Sequence, residues 1–516
     1  MPASRCYVTT AIPYVNARPH LGHALELVQA DTLARHRRQA GDAVRLLTGT
    51  DDNSLKNVQA AEAEGVPVQR LVDRYAAAFA ALRGPLALSF DDFIRTSSDP
   101  RHRAGVERLW RACAAAGDLY RRRYQGLYCV GCERFYQPDE LDGGRCPEHA
   151  APLRRVAEEN WFFRLSRYRE PLLRLLQDGR LRVEPAVRRN EVLAFVAAGL
   201  EDFSVSRSVA RARGWGIPVP GDPGQVVYVW FDALANYVSA LGYGTGDQAY
   251  RHWWLEAGRR VHLIGKGILR FHAVYWPAML LSAGEPPPTD VLVHDHLTVD
   301  GRKLSKSSGN VVDPVALAER FGTDAVRWWL LRDVPRVGDA DFTVARLVAR
   351  ADEDLANGLG NLVNRVVSMV HRYRGGHVPA AAGAAGEAAA PLRLACARAP
   401  ARVAQALATG DFRAGAAAVW AIVEEANRYV DRARPWELAA AERAGEAAAG
   451  ARLDAALAAL AGSLAALAEQ LRPFLPDAAE RVAAQCDGSS GTLPEARPLF
   501  PRLAAPGRAP AGSLGR

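Results

Sequence analysis

Over the first hundred residues, short apolar runs alternate with amphipathic stretches. Cys6–Thr10 reads as a strand and Ala11-Ile12-Pro13-Tyr14 as a turn, and Pro19 suits the first turn of a helix running to Arg38. Val44–Thr48 is the next β-like run, ending in Gly49-Thr50-Asp51-Asp52. Strand, helix and strand make a βαβ unit with a right-handed parallel crossover. From about 100 to 220 the alternation breaks into aromatic and Arg-rich pieces with Gly-rich turns such as Asp142-Gly143-Gly144. Apolar runs return at Val226–Trp230, Val261–Ile264 and Val291–Val293, which predicts one α/β domain with a parallel sheet, split by a large insertion. From about 346 onward only helical periodicity remains. The Ala/Gly-rich segment 380–390 reads as a loose loop and 501–516 as a disordered tail.

Composition narrows the class. A chain of 516 residues allows three or four domains. No uninterrupted apolar run reaches the roughly 18 to 20 residues of a membrane helix, and the first residues lack a signal-peptide apolar region, so a cytoplasmic protein without membrane partners is expected. Seven cysteines in so long a chain do not form the pattern of a secreted disulfide framework. The net charge of +8 permits a polyanionic partner without identifying one. Of 65 basic residues only four are lysine: Lys56, Lys266, Lys303 and Lys306. A GC-rich codon bias explains the depletion but not the clustering of three of them between 266 and 306. Arginine is a planar fork and lysine a compact charge on a flexible stem, so some sites cannot exchange them.

Three motifs carry chemistry. Cys129-x2-Cys132-x13-Cys146-x2-His149 offers three thiolates and an imidazole as two ligand pairs, a set suited to a closed tetrahedral structural zinc site. Pro19-His20-Leu21-Gly22-His23 opens the helix after the first strand; its two histidines share one face of the first turn, where a helix N-terminus attracts anions. By itself this pair would more often be two surface histidines. Asp300-Gly301-Arg302-Lys303-Leu304-Ser305-Lys306-Ser307-Ser308-Gly309-Asn310 reads as a loop whose two ammonium groups suit a triphosphate that gains charge on its leaving group.

His20-Leu21-Gly22-His23 and Lys303-Leu304-Ser305-Lys306-Ser307 resemble the paired HIGH and KMSKS motifs of class I aminoacyl-tRNA synthetases. Ala11-Ile12-Pro13-Tyr14, Gly49-Thr50-Asp51, the cysteine knuckle, Val229-Trp230-Phe231-Asp232-Ala233 and Phe271-His272-Ala273-Val274-Tyr275-Trp276-Pro277 narrow the resemblance to the methionyl-tRNA synthetase family, up to about residue 480. The resemblance implies a Rossmann-like catalytic domain in two halves (1–98 and 221–297). A connective insertion (99–220), with its zinc knuckle at about 125–152, separates them. A lysine-loop and stem-contact region (298–350), a helical anticodon-binding domain (351–500) and the tail (501–516) follow. It also implies a methionine–tRNA ligase, monomeric, using ATP with Mg2+ and carrying structural Zn2+. L-methionine and the initiator and elongator methionine tRNAs are its implied partners.

On the same resemblance, His20, Gly22, His23, Lys303 and Lys306 hold ATP, the two histidines and two lysines being catalytic. Methionine lies among Ile12, Tyr14, Trp230, Ala233, Tyr237, Ile268, Phe271, His272 and Trp276, with Asp51 on its ammonium group. Aromatic walls give a thioether soft, polarizable contacts, although each aromatic taken singly would more often be core, and a strand-end Asp could equally cap a helix. Asn361, Arg365 and Trp436 fall at the anticodon. The chain departs from the family at Asp52-Asn53-Ser54, where Glu-His-Gly is usual, at Gly267, where Asp is common, and at Leu234, where some members have Pro. The departures at Asp52-Asn53-Ser54 and Gly267 support one competing reading, a synthetase paralogue that makes an aminoacyl-adenylate or binds tRNA for another pathway. A synthetase for Leu, Ile, Val or Cys is disfavoured by the aromatic set and by an insertion too short for an editing domain.

Overall fold

β1 (Arg5–Thr10) is buried from Cys6 to Thr10, the unbroken burial of a strand covered on both faces. In this computed structural model, which describes residues 4–129, 134–136, 140–147, 152–299, 301–303, 311–380 and 387–503, the strand lies at the centre of a six-stranded sheet. The others are β2 (Ala43–Thr50), β3 (Asp92–Arg95), β4 (Arg182–Glu184), β5 (Arg259–Gly265) and β6 (Asp290–His294). Their order is β3-β2-β1-β5-β6-β4, and every pairing is parallel. The order reverses between β1 and β5, and the crevice beyond the carboxyl ends at such a switch point is where open α/β sheets bind ligands. Gly49 is required near that end of β2: a Cβ there would lie 2.1 Å from the carbonyl oxygen of Ile94 on β3.

The sheet belongs to a compact unit comprising Met1–Pro19, Ala40–Arg83 and Ser89–His294. The expected insertion is less separate than its composition suggests. Its helix Pro100–Ala115, capped by Asp99 and started by Pro100, buries Val106, Leu109, Trp110 and Cys113 in the same core as the sheet. Its residues Arg182–Glu184 form β4, at the edge of the parallel sheet. Between them, Leu119–Cys129 and Arg154–Phe163 pair as a long antiparallel ribbon. The apolar run Val226–Trp230 is also not one strand: the strand ends at Val227 and Val229 opens a helix to Leu234.

The second unit comprises His20–Gln39, Gly84–Leu88 and Asp295–Arg516. It holds α1 (Leu21–Gln39), α2 (Thr323–Arg332), α3 (Asn361–Arg374), α4 (Ala390–Ala408), α5 (Phe412–Ala433), α6 (Pro435–Arg443), α7 (Ala449–Leu471) and α8 (Pro476–Gln485). A small sheet pairs Leu297–Val299 with Arg302–Lys303 and with Ala340–Phe342. By length and composition α7 could cross a membrane. Here Leu453, Leu457, Leu460, Leu464, Leu467 and Leu471 are buried, the inward stripe of a bundle helix. The stripe Leu355, Leu359, Leu362 and Val366 is likewise buried. Arg327 of α2 is fully buried and pairs at 2.9 Å with Asp31 of α1, itself fully buried. The Arg327 guanidinium also donates to the carbonyls of Leu86, Pro473 and Phe474.

Residues 504–516 and 381–386 lie outside the described residues, so most of the expected tail and most of the expected 380–390 loop are not described. At the start of the tail the Leu503 N–H donates to Asp352 at 2.8 Å and the Arg502 guanidinium to Asn357 at 3.0 Å, so these residues are held rather than disordered, and helical turns begin at Glu387.

Candidate active site

The turn after β1 and the end of β2 are joined as a short parallel bridge between Tyr14 and Asp51, with the Asp51 N–H donating to the Pro13 carbonyl at 2.9 Å. Asp51 is 2% exposed. Its backbone is fixed from the next helix, where the Asn57 side chain donates to the carbonyls of Asp51 (3.0 Å) and Asp52 (2.9 Å). That helix, Leu55–Glu64, is capped by Ser54, whose hydroxyl accepts from the Lys56 N–H. Ser54 therefore performs the capping, and the Asp51 carboxylate, which accepts from the Asn53 N–H at 3.2 Å, stands at the strand end beside Tyr14. Asp52 turns the other way, engaged by Arg95 and Ser97. Lys56, the lysine without a role in the sequence, holds its Nζ 5.2 Å from the centre of the Tyr14 ring.

Aromatic side chains gather around Tyr14. Trp230 stacks on Phe271 with ring centres 3.8 Å apart and planes 8° from parallel, and Tyr14 leans toward Trp230 at 6.4 Å. Phe271 sits in a π-helical turn, Phe271–Tyr275, a local widening that recurs at functional sites. Ile12 and Ile268 pack against the same core as Phe271, and Ala233 is buried. Tyr237, His272 and Trp276 lie deeper, each at most 1% exposed.

A chain of hydrogen bonds fixes these inner side chains. His272 Nδ1 donates to the Ile268 carbonyl (3.0 Å), so Nε2 accepts from the Tyr237 hydroxyl (2.7 Å). Alongside, Trp276 Nε1 donates to His262 Nε2 (3.1 Å), leaving His262 Nδ1 to donate to Thr9 (2.6 Å). Burial lowers His272 to about 4 and holds His262 well below the ordinary histidine range. Both rings are neutral at physiological pH. Neither imidazole therefore brings a positive charge to this group of buried side chains.

The expected phosphate-handling histidines open α1. His20 is its N-terminal flank: its carbonyl accepts from His23 N–H (2.9 Å) and Ala24 N–H (3.2 Å). The two imidazoles stack with centres 3.7 Å apart. His20 Nδ1 accepts from the Gly22 N–H and His23 Nδ1 from the His20 N–H, both at 3.1 Å. With Nδ1 accepting, the proton of each neutral ring is on Nε2, so each presents an N–H donor. Burial lowers His20 to about 4 and His23 well below the ordinary value, the His20 charge adding to the second shift.

This has a measurable consequence. A buried neutral histidine must charge in the unfolded chain as pH falls below about 6.5, so stability present above that pH is lost toward pH 4. For His20 and His272, each at about 4 in the fold, the loss at pH 5 is about 2 kcal/mol apiece. Urea midpoints followed by circular dichroism should fall between pH 7 and pH 5, and His272→Gln should flatten part of that slope. Identical midpoints at both pH values would contradict the burial of neutral rings.

The lysine loop is described only at its start. The Lys303 backbone pairs with Thr298, and Lys306 lies outside the described residues, as do Cys132 and His149. Of the zinc set, Cys129 and Cys146 are fully buried in one small cluster with Tyr136, whose hydroxyl is 3.5 Å from Cys146 Sγ. Asp142 and Arg145 exchange backbone hydrogen bonds around Gly143 and Gly144, both at positive φ (54° and 77°), a tight reversal that only such residues allow without strain. The donor chemistry and the reversal fit a zinc knuckle.

In the helical domain Asn361 begins α3, exposed, and Arg365 one turn later reaches Asp431 at the end of α5 (3.5 Å). Trp436 follows Pro435 at the start of α6, 40% exposed and among the few large apolar side chains open to solvent.

Some neighbours of the site were not apparent in the sequence. His262 has the look of a core histidine in an apolar strand, and Asn57 and His102 belong to no motif. The one signal was Asp232 inside Val229-Trp230-Phe231-Asp232-Ala233, a carboxylate amid apolar residues that would need a buried partner.

A family model described as class I tRNA synthetases (M) matches residues 6–154 and 149–367, and one described as the anticodon binding domain of methionyl tRNA ligase matches residues 378–507. The chain is 40% identical to a methionine–tRNA ligase of Brucella melitensis over 97% of its own length and 98% of the relative's. It is 41% identical to one of Mesorhizobium japonicum, over 93% and 91%. A solved Mycobacterium tuberculosis methionyl-tRNA synthetase in complex with methionyl-adenylate superposes with a TM-score of 0.90 at 39% identity, covering 97% of this chain and all (100%) of that one. The chain belongs to the methionyl-tRNA synthetase family of class I tRNA synthetases.

Proposed function

We infer that the chain is a methionine–tRNA ligase whose chemistry proceeds by positioning rather than by a covalent enzyme intermediate. The observation that carries this is the bridge between Tyr14 and Asp51, which sets a buried aspartate next to the residue whose ring leans toward the Trp230–Phe271 stack. Asp51 takes the ammonium group of methionine. Ile12, Tyr14, Trp230, Ala233, Tyr237, Ile268, Phe271, His272 and Trp276 enclose its side chain. A methionine carboxylate oxygen then attacks the α-phosphorus of ATP, and the bond to the β,γ-phosphates breaks as pyrophosphate leaves. In the second step the 2′-hydroxyl of the terminal adenosine of tRNA attacks the methionyl carbonyl and AMP departs. His20 and His23 offer Nε2–H donors to phosphate oxygens beside Gly22, and Lys303 and Lys306 stabilise the charge that develops on pyrophosphate. Mg2+ bound with ATP supplies further neutralisation of phosphate charge.

Cys129, Cys132, Cys146 and His149 form the structural zinc set, a reading supported by the shared burial of Cys129 and Cys146. The protein acts as a cytoplasmic monomer on both initiator and elongator methionine tRNAs.

Amino-acid-dependent ATP–pyrophosphate exchange, followed by charging of methionine tRNA, tests the assignment. Exchange with another amino acid and not with methionine would overturn it. Asn361, Arg365 and Trp436 read the anticodon, with Trp436 offering a stacking face. Base–aromatic stacking contributes about 1–3 kcal/mol, so Trp436→Ala should lower charging efficiency by roughly one to two powers of ten and leave exchange unaltered. Equal charging by the variant and the parent would remove Trp436 from the anticodon site.

A further inference from the structure

Asp52-Asn53-Ser54 is the stretch that the function leaves unused, and two of its members have structural duties: Asp52 joins Arg95 on β3 and Ser54 caps the following helix. Asn53 does something else. Its backbone N–H donates to Asp51 Oδ1 at 3.2 Å, and its side-chain Nδ2 donates to Asp232 Oδ2 at 2.7 Å and to the Thr96 carbonyl at 3.3 Å. Asp232 is fully buried, and its other oxygen accepts from His102 Nε2 at 2.5 Å, with Ser239 Oγ 2.9 Å from His102 Nδ1. Asp232 belongs to the helix Val229–Leu234, which also carries Trp230 and Ala233.

We infer that Asn53 is a positioning residue for methionine, locking the loop that bears Asp51 to the helix that bears Trp230. The inference rests on the reading of Asp51 as the ammonium-binding carboxylate. A neutral amide suits this place. It donates to Asp232 without adding a charge of its own, where a carboxylate would bring two anions to 2.7 Å and an apolar residue would strip a donor from a buried carboxylate. Because the same residue orients Asp51 through its backbone and holds Trp230's helix through its side chain, the spacing between the ammonium site and the aromatic wall depends on it. Neither Asp51 nor the helix of Trp230 is among the residues assigned above to ATP, which separates the two substrates in kinetics.

The test is exchange kinetics on the full chain, with thermal melts alongside. Asn53→Asp should raise the methionine KM about tenfold or more, the worth of a hydrogen bond to a charged group, with the ATP KM within twofold of the parent. Asn53→Ala should move it in the same direction by less. Combining Asn53→Asp with Asp232→Asn restores one donor facing one acceptor with the polarity reversed, and should return the methionine KM toward the parent value. Should Asn53→Asp alone fail to fold, Asn53→Ala and the combined variant carry the measurement. Asp51→Asn is run in parallel. If it raises the methionine KM while the Asn53 variants do not, the inference is overturned and the reading of Asp51 stands. If Asp51→Asn leaves the methionine KM unchanged, the reading beneath the inference fails and the inference falls with it. A lower melting temperature with both KM values unmoved would also overturn it, since a purely structural role predicts that pattern.

Discussion

Asp51→Ala is expected to lower kcat/KM for methionine in ATP–pyrophosphate exchange by roughly two to four powers of ten, the effect of removing one partner from a buried charge pair at about 3–5 kcal/mol. Asp51 is 2% exposed, so little water is available to replace it beside an ammonium ion. Its main chain is held independently of its carboxylate, by Pro13 and by the Asn57 amide, and truncation should therefore leave the loop in place. Three measurements define the result. The ATP KM should stay within a few-fold of the parent, the thermal melt should be nearly unchanged, and discrimination against 4-methylthiobutanoate, which lacks the amino group, should collapse. A variant that still prefers methionine over this analogue as strongly as the parent would remove Asp51 from the ammonium site.

What the sequence disclosed about this site follows a physical pattern. β1 and β2 are buried in long runs and leave strong signals, and Asp51 is conspicuous because a carboxylate at a strand end invites a ligand or a cap. The structure gives the cap to Ser54. β4 left no signal: Arg182, Val183 and Glu184 are three residues with one apolar side chain, placed at the sheet edge by the partner strand rather than by their own propensity. Val226–Trp230 misled because five apolar residues suit a buried strand and the first turn of a helix equally. The contact of Asn53 with Asp232 spans 179 positions, beyond any local period. The two loop lysines stand out in the sequence through their rarity and their spacing alone.

Arg327→Met is expected to destabilise the second unit by about 3–5 kcal/mol, because it strands the buried Asp31 carboxylate. The sequence hides this group: Arg327 lies among Ala325, Val326, Trp328 and Trp329, where an arginine looks like one more polar position on an amphipathic helix. In the structure it is fully buried. Its guanidinium reaches Asp31 on α1 and the carbonyls of Leu86, Pro473 and Phe474, tying the helix that carries His20 and His23 to the segment between α7 and α8. Lysine keeps the charge but offers a compact ammonium in place of a planar fork, so it cannot serve all four acceptors, and Arg327→Lys should fall between the parent and Arg327→Met. Pairing Arg327→Met with Asp31→Leu removes both charges and should recover part of the loss, as replacement of a whole buried pair by apolar groups does. Tryptophan fluorescence during urea unfolding follows the transition directly, since Trp328 and Trp329 flank the site. Movement of α1 adds a functional readout: the ATP KM should rise in Arg327→Met more than the methionine KM. A variant with a parental midpoint would show that the buried pair contributes nothing net, and one with a lower midpoint but parental ATP kinetics would confine Arg327 to holding the fold.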